Sequence, residues 1–159
     1  MTISRREKIM QIWQAKFAAM REGVDGYETT WDYVLREPLT PDDYETIQGN
    51  TLSILDTDES VVVYETQHIR KAILVTVQIF IVADRDDPKS TELNRAIADV
   101  QRMFYSDIYT TDIDTKQYSL RLDELGSTKN IDFVGDFLLE AEITLEITYR
   151  HSTVDPRVC

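Results

Sequence analysis

Residues 137–149 constrain this chain more than any other stretch. Phe137, Leu139, Ala141, Ile143, Leu145, Ile147 and Tyr149 fall on one side of an extended backbone, and Glu140, Glu142, Thr144, Glu146, Thr148 and Arg150 fall on the other. The alternation is unbroken and rich in β-branched and aromatic residues, so it predicts a long strand, half-buried, and not a helix. A strand of that length has to bury its odd-numbered side against a second layer. The rest of the chain must supply that layer.

Helical spacing provides part of it. Over 5–22, Ser4 and Glu7 form an S-x-x-E capping box, Ile9, Trp13, Phe17 and Met20 recur on one face, and Gly23 supplies a stop. A second helix is predicted over 90–106, with Leu93, Ala96, Ile97, Val100, Met103 and Phe104 on one side. Stripes of this width pack on sheets far more often than they bind partners.

Strands are expected at 27–36, at 70–83 and at 118–124, each by alternation. In 70–83 the second side also carries Leu74, Phe80 and Val82, which suggests a central strand or one whose outer face meets a neighbouring subunit. Pro38, Pro41, Asp42 and Asp43 read as a loop, followed by a short hairpin of 44–47 and 51–55 around Gln48-Gly49-Asn50. Residues 56–60 read as an acidic connection, 61–65 as a short apolar run, 107–117 as a polar loop, and Gly126-Ser127-Thr128 as a turn. The expectation is an α+β fold in a single domain over 1–159. A mainly antiparallel sheet with long strands packs against two amphipathic helices, and a mobile tail begins near residue 152.

Composition excludes several classes. No apolar run approaches the ~20 residues of a membrane span, and the hydrophobic share of 42% is that of a soluble globular protein. Gln11, Gln14 and Lys16 interrupt any apolar segment behind the basic start, so no secretion signal is read. The lone Cys159 leaves no disulfide framework. With 29 acidic against 17 basic residues, the net charge of −12 opposes binding to a phosphate backbone.

Candidate chemistry fails in most places. Asp56-Thr57-Asp58, Asp84-Arg85-Asp86 and Asp112-Ile113-Asp114 invite a calcium reading. The glycine and glutamate of an EF-hand are absent, because position 6 is Val61, Lys89 or Gln117 and position 12 is Gln67, Arg95 or Asp123. His68 and His151 lack zinc-like companions, no G-x-S-x-G is present, and the glycines form no phosphate cradle. Glu140, Glu142 and Glu146 share one side of the long strand, with Glu140 and Glu142 about 7 Å apart, a distance that could suit acid/base work. A solvated strand face is the blander and favoured reading, since nothing nearby suggests a pocket. No catalytic residue, metal or cofactor is expected.

The order of these pieces carries a resemblance. A helix ends near Gly23, and Gly26-Tyr27-Glu28-Thr29-Thr30 and a proline-bearing loop follow. A central strand 72–83 then ends in acidic residues and Pro88, the helix holds Glu92-Leu93-Asn94-Arg95-Ala96-Ile97-Ala98-Asp99-Val100, and the last strand closes in Tyr149-Arg150 with Pro156 beyond. Over nearly its full length this resembles the tail terminator, or tail completion, proteins of long-tailed bacteriophages. The resemblance implies a virion protein at the head-proximal end of the tail, assembled in the bacterial cytoplasm. It would form a hexameric ring on the last ring of the tail tube, stop tube polymerisation and meet the head-completion proteins, with DNA passing through unbound. It implies no catalytic residues and no membrane partner. Asp56, Asp58, Glu59, Asp84, Arg85, Asp86, Asp87, Glu140, Glu142 and Glu146 are then the candidate interface or lumen residues. Other readings stay open: another head-tail connector or tail-tube protein, or a small cytosolic ligand-binding or enzymatic domain using the Glu140, Glu142 and Glu146 face.

Overall fold

The structure, a computed structural model, describes residues 3–83, 89–130, 134 and 138–153. Five strands form one sheet in the order β1-β2-β3-β5-β4: β1 (Tyr33–Leu35), β2 (Thr51–Tyr64), β3 (His68–Val82), β4 (Arg121–Lys129) and β5 (Leu138–Ser152). β1 runs parallel to β2, and every other pairing is antiparallel, so the sheet is mixed but mainly antiparallel. Two helices, α1 (Arg5–Ala19) and α2 (Lys89–Ser106), complete an α+β fold.

The core forms where the odd-numbered side of β5 meets both helices. Leu139, Ala141, Ile143, Leu145, Ile147 and Tyr149 are buried, as the alternation predicts, together with Ile73, Val75, Val77 and Ile79 of β3. Above them Trp13 and Phe17 of α1 pack on Phe104 of α2, with ring centroids 4.5 and 5.1 Å apart. The Trp13 indole N–H donates to the Thr110 hydroxyl at 3.1 Å, which satisfies the one polar atom this cluster carries inward. β3 lies between β2 and β5 from Ile69 to Phe80, the central position its apolar second side suggested.

That second side is covered in part by the chain itself. The segment 36–50 crosses it: the Leu39 N–H donates to Gln78 Oε1 at 3.1 Å, and the Ser53 hydroxyl donates to the Glu37 carbonyl. The Tyr44 ring sits 5.3 Å from the Phe80 ring. Phe80 is therefore buried without any neighbouring subunit, while Val82 stays 40% exposed.

Several expectations need correction. The first helix stops at Ala19, because Met20 turns extended and seats its sulfur 3.2 Å from the Trp31 indole nitrogen. The strand expected over 27–36 shrinks to Tyr33–Leu35. Its earlier half lies against α2, where the Asp99 carboxylate takes the Glu28 N–H at 2.9 Å and the Arg102 guanidinium covers the Tyr27 ring. Alternation there reflects one side buried against a helix. Gly26 is needed at the same contact: its φ is +77°, and a Cβ would lie 2.8 Å from an Arg102 nitrogen.

The hairpin expected over 44–55 is also absent. Pro41–Thr46 forms a 3₁₀ helix that starts where the Thr40 N–H meets the Asp43 carboxylate, and Thr51 instead begins a strand that continues to Tyr64. Residues 56–60 are thus not a connection. Asp56, Asp58 and Glu59 belong to β2, which absorbs them with a bulge between Asp56 and Glu59. Likewise Gly126, Ser127 and Thr128 are strand residues of β4 beyond a bulge after Glu124, not a turn. Ser152 closes β5 and the Thr153 N–H donates to the Gln67 carbonyl at 3.0 Å, so order extends further than the expected tail boundary. Residues 154–159, with Cys159, lie outside the described residues, as do Asp84, Arg85, Asp86, Asp87 and Pro88.

Candidate functional site

The described acidic residues among the candidates fall into two groups on opposite sides of the sheet. Asp56 and Glu59 lie on the helix side, where they meet cations from three separate segments. Arg6 of α1 bonds Asp56 at 2.5 Å, Arg36 reaches Asp56 at 2.9 Å, and Lys71 of β3 bonds Glu59 at 2.6 Å. Arg36 also lies 3.4 Å from Glu7, and the Tyr149 hydroxyl donates to Glu59 at 2.5 Å.

Their ionisation follows from these partners. Burial opposes the charge on Asp56, but the hydrogen bonds and charges of Arg6 and Arg36 hold its carboxyl below the ordinary value. Glu59 is lowered in the same way: burial works against it, and Lys71 and Tyr149 outweigh burial. Tyr149 is pushed up, by burial first and then by the Glu59 carboxylate that takes its proton in a hydrogen bond. Every carboxylate oxygen here is spent on a structural contact, so the cluster staples α1 and the 36-side loop to β2, β3 and β5. Asp58, beside it, is exposed.

Glu140, Glu142 and Glu146 lie on the other side of the sheet, each partly buried. The Tyr44 hydroxyl donates to Glu140 Oε1 at 3.1 Å, and burial together with this carboxylate pushes the Tyr44 hydroxyl up to about 12. Glu140 thus anchors the 36–50 segment. Glu142 stands across from Gln78 and Thr128, and Glu146 across from Leu74 and Asp123. The structure does not bring these three carboxylates to one pocket with Asp56, Asp58 or Glu59. Asp112, from the third acidic cluster, accepts the Asp114 and Lys116 N–H groups at 3.0 and 2.9 Å, as a turn-forming aspartate does.

Two surfaces escaped the sequence reading. One is a groove of about 740 Å³ between α1 and 106–113, floored by Ile12, Ala15 and Ala19 and rimmed by Ile113, which is 97% exposed. Its rim acid Asp107 is already bound by Lys16 and by Thr111, so it offers apolar contact and no free base. The other is the far end of the β2–β3 hairpin, where Val61, Val62, Val63 and Tyr64 are all exposed, Tyr64 by 74%. Four apolar residues in a row, in a strand, cannot all face one core. That run was the available signal.

No protein-family model matches this chain, and no curated protein matches it. Among the described residues, no helix is long and apolar enough to cross a membrane.

Proposed function

We propose that this chain is a structural subunit of a bacteriophage tail of the terminator kind. Copies join in a ring, a hexamer by the resemblance, that caps the tail tube, halts its growth and presents a surface to the head-completion proteins. The observation that carries the reading is the exposed apolar end of the β2–β3 hairpin, held out by a rigid, ion-paired sheet. Such a surface suits assembly better than chemistry. Of the Glu140, Glu142 and Glu146 face that motivated an enzymatic alternative, Glu140 is engaged in holding the 36–50 segment, which supports this side of the choice as well.

The net charge of −12 fits a pore component. Multiplied around a ring, it repels a polyanion, and a pore only a few Debye lengths of ~10 Å wide cannot screen that repulsion. DNA then passes without adhering. The deciding experiment mixes the purified chain with tail tubes and views them by electron microscopy. Rings seated on one end of each tube are expected; bare tubes together with a monomeric chain in light scattering would sink the reading. A mobility-shift assay at low salt should show no duplex DNA binding, and tight, salt-sensitive binding would remove the pore role.

A further inference from the structure

An open sheet has two edges, and both are bare here over part of their length. On one side, β1 covers β2 only at Thr51–Ser53, so no described strand pairs with the outer side of β2 from residue 56 to Tyr64. On the other side, β4 is the last strand, and its outer side pairs with no described strand. The bare stretches 60–64 and 125–129 are also the exposed ones. They carry almost no charge: Ser60-Val61-Val62-Val63-Tyr64 on β2, and Leu125-Gly126-Ser127-Thr128 ahead of Lys129 on β4. The chain as a whole is charged at 29% of its residues. Sheet edges recruit other strands through unpaired N–H and C=O groups unless charge, proline or a bulge guards them. Bulges fall at Val62 and after Glu124, which leaves Ser60-Val61 on β2 and Ser127-Thr128 on β4 as regular strand without such a guard.

The two edges match each other in direction. β2 is antiparallel to β3, β3 to β5 and β5 to β4, so β4 runs opposite to β2. A rotation about an axis along the strands preserves strand direction, and it therefore sets the β2 of one copy antiparallel beside the β4 of the next. Such a contact is heterologous and closes into a ring when the rotation allows it. We propose that the bare edges of β2 and β4 pair between copies of this chain, so that the ring closes through a continuous antiparallel sheet.

The pleat narrows the register. Glu59 and Val61 stand across from Ile73 and Lys71 on the helix side, and Ser127 and Lys129 stand across from Ile143 and Ala141 on that same side. A register that keeps the helix side continuous and brings Lys129 to the acidic Asp58-Glu59 pair sets Glu59 opposite Lys129, Ser60 opposite Thr128 and Val61 opposite Ser127. It also stops short of Ser53, where β1 occupies the edge.

This inference rests on the ring reading, and the test separates the two. In the full chain with Cys159→Ser, the introduced cysteines are the only thiols. Ser60→Cys and Thr128→Cys are exposed positions, and opposed residues of antiparallel strands hold their Cβ atoms about 5 Å apart, near disulfide range. Oxidation of the double variant should give a ladder of covalent multimers that ends at the ring size seen by light scattering. An equimolar mixture of the single variants should give one covalent dimer, and each single variant alone should give none. Melting temperatures equal to the Cys159→Ser parent certify that the variants fold. Ser60→Cys cross-linking to itself would mean that β2 edges meet about a two-fold axis, which overturns the proposal. A ring that shows no cross-link for this pair, nor for Val61→Cys with Ser127→Cys, keeps the ring reading and removes edge pairing. A monomer at every concentration removes both.

Discussion

β2 contains two halves that share one partner strand and differ in everything else. In Thr51–Ile54, Leu52 and Ile54 lie buried beneath the helices and Thr51 and Ser53 lie buried beneath the 36–50 segment. In residues 60–64 no described layer covers either side, and Val61, Val62, Val63 and Tyr64 are exposed. Valine is as apolar as the residues buried ten positions earlier, so composition does not decide which half is core. The layers above the strand decide it. Burial of the first half stabilises the subunit, whereas the second half leaves apolar area open, the area that the proposed association would cover.

The largest effect should come from charging the buried half. Ile54 is fully buried, and Ile54→Asp would place an unpaired carboxylate in the core on the side of the sheet that α1 covers, a cost of several kcal/mol that approaches the whole stability of a small domain. Loss of the cooperative unfolding transition in circular dichroism is expected. A melting temperature within a few degrees of the parent would show that the covered half of β2 is not core.

The covered half was only partly legible. β5 and β3 announce themselves because strict alternation survives wherever one face of a strand is buried throughout, and α2 does so through its single apolar stripe. β2 hides because Asp56, Asp58 and Glu59 look like a solvated connection. Their neutralising partners Arg6, Arg36 and Lys71 lie 50, 20 and 12 residues away from the acids they bind, beyond any local window. β4 hides behind Gly126-Ser127-Thr128, which reads as a turn until a bulge shows how a strand accommodates it. The candidate site suffered the same way: the sequence names the acids, and only the fold shows that Asp56, Glu59 and Glu140 are spent on structure.

The ion-paired boundary between the two halves gives the next effect. Asp56→Asn should cost about 1–2 kcal/mol, since hydrogen bonds to a charged partner are worth roughly twice neutral ones but this pair is partly solvated. Asp56, Glu59 and Asp107 are all lowered in the folded state. Their stabilisation is therefore complete above the unfolded carboxyl value of about 4 and is lost as pH falls through the lower folded values. Urea midpoints measured between pH 7 and pH 2 should drop below about pH 4, and the drop should be shallower in Asp56→Asn. Equal acid sensitivity in the variant would mean that Asp56 is not part of the staple.

On the loop-covered side the expected effect is smaller. Tyr44→Phe removes the donor to Glu140 and keeps the ring on Phe80, a loss of about 0.5–1.5 kcal/mol. The Tyr44 hydroxyl is raised to about 12, so its contribution is complete below the unfolded value of about 10 and is lost as pH rises from there toward 12. The difference in midpoint between parent and variant should shrink across that window. A difference that persists undiminished above it would assign the effect to packing and not to the hydroxyl.

The smallest effect on the subunit should come from charging the exposed half, and that contrast tests the comparison most sharply. Val62 is 51% exposed and is the extra residue where the register shifts between Val61 and Val63, so Val62→Lys buries no charge and breaks no described packing. Surface changes of this kind stay within about 0.5 kcal/mol, and the melting temperature at low concentration should match the parent. Association should respond in the opposite way. A lysine on a bare edge is one of the means by which edge strands resist pairing, so the same variant should remain monomeric at concentrations where the parent forms rings. A variant that melts early would place Val62 in the subunit's own core, and a variant that is stable and still assembles would move the contact surface off this edge.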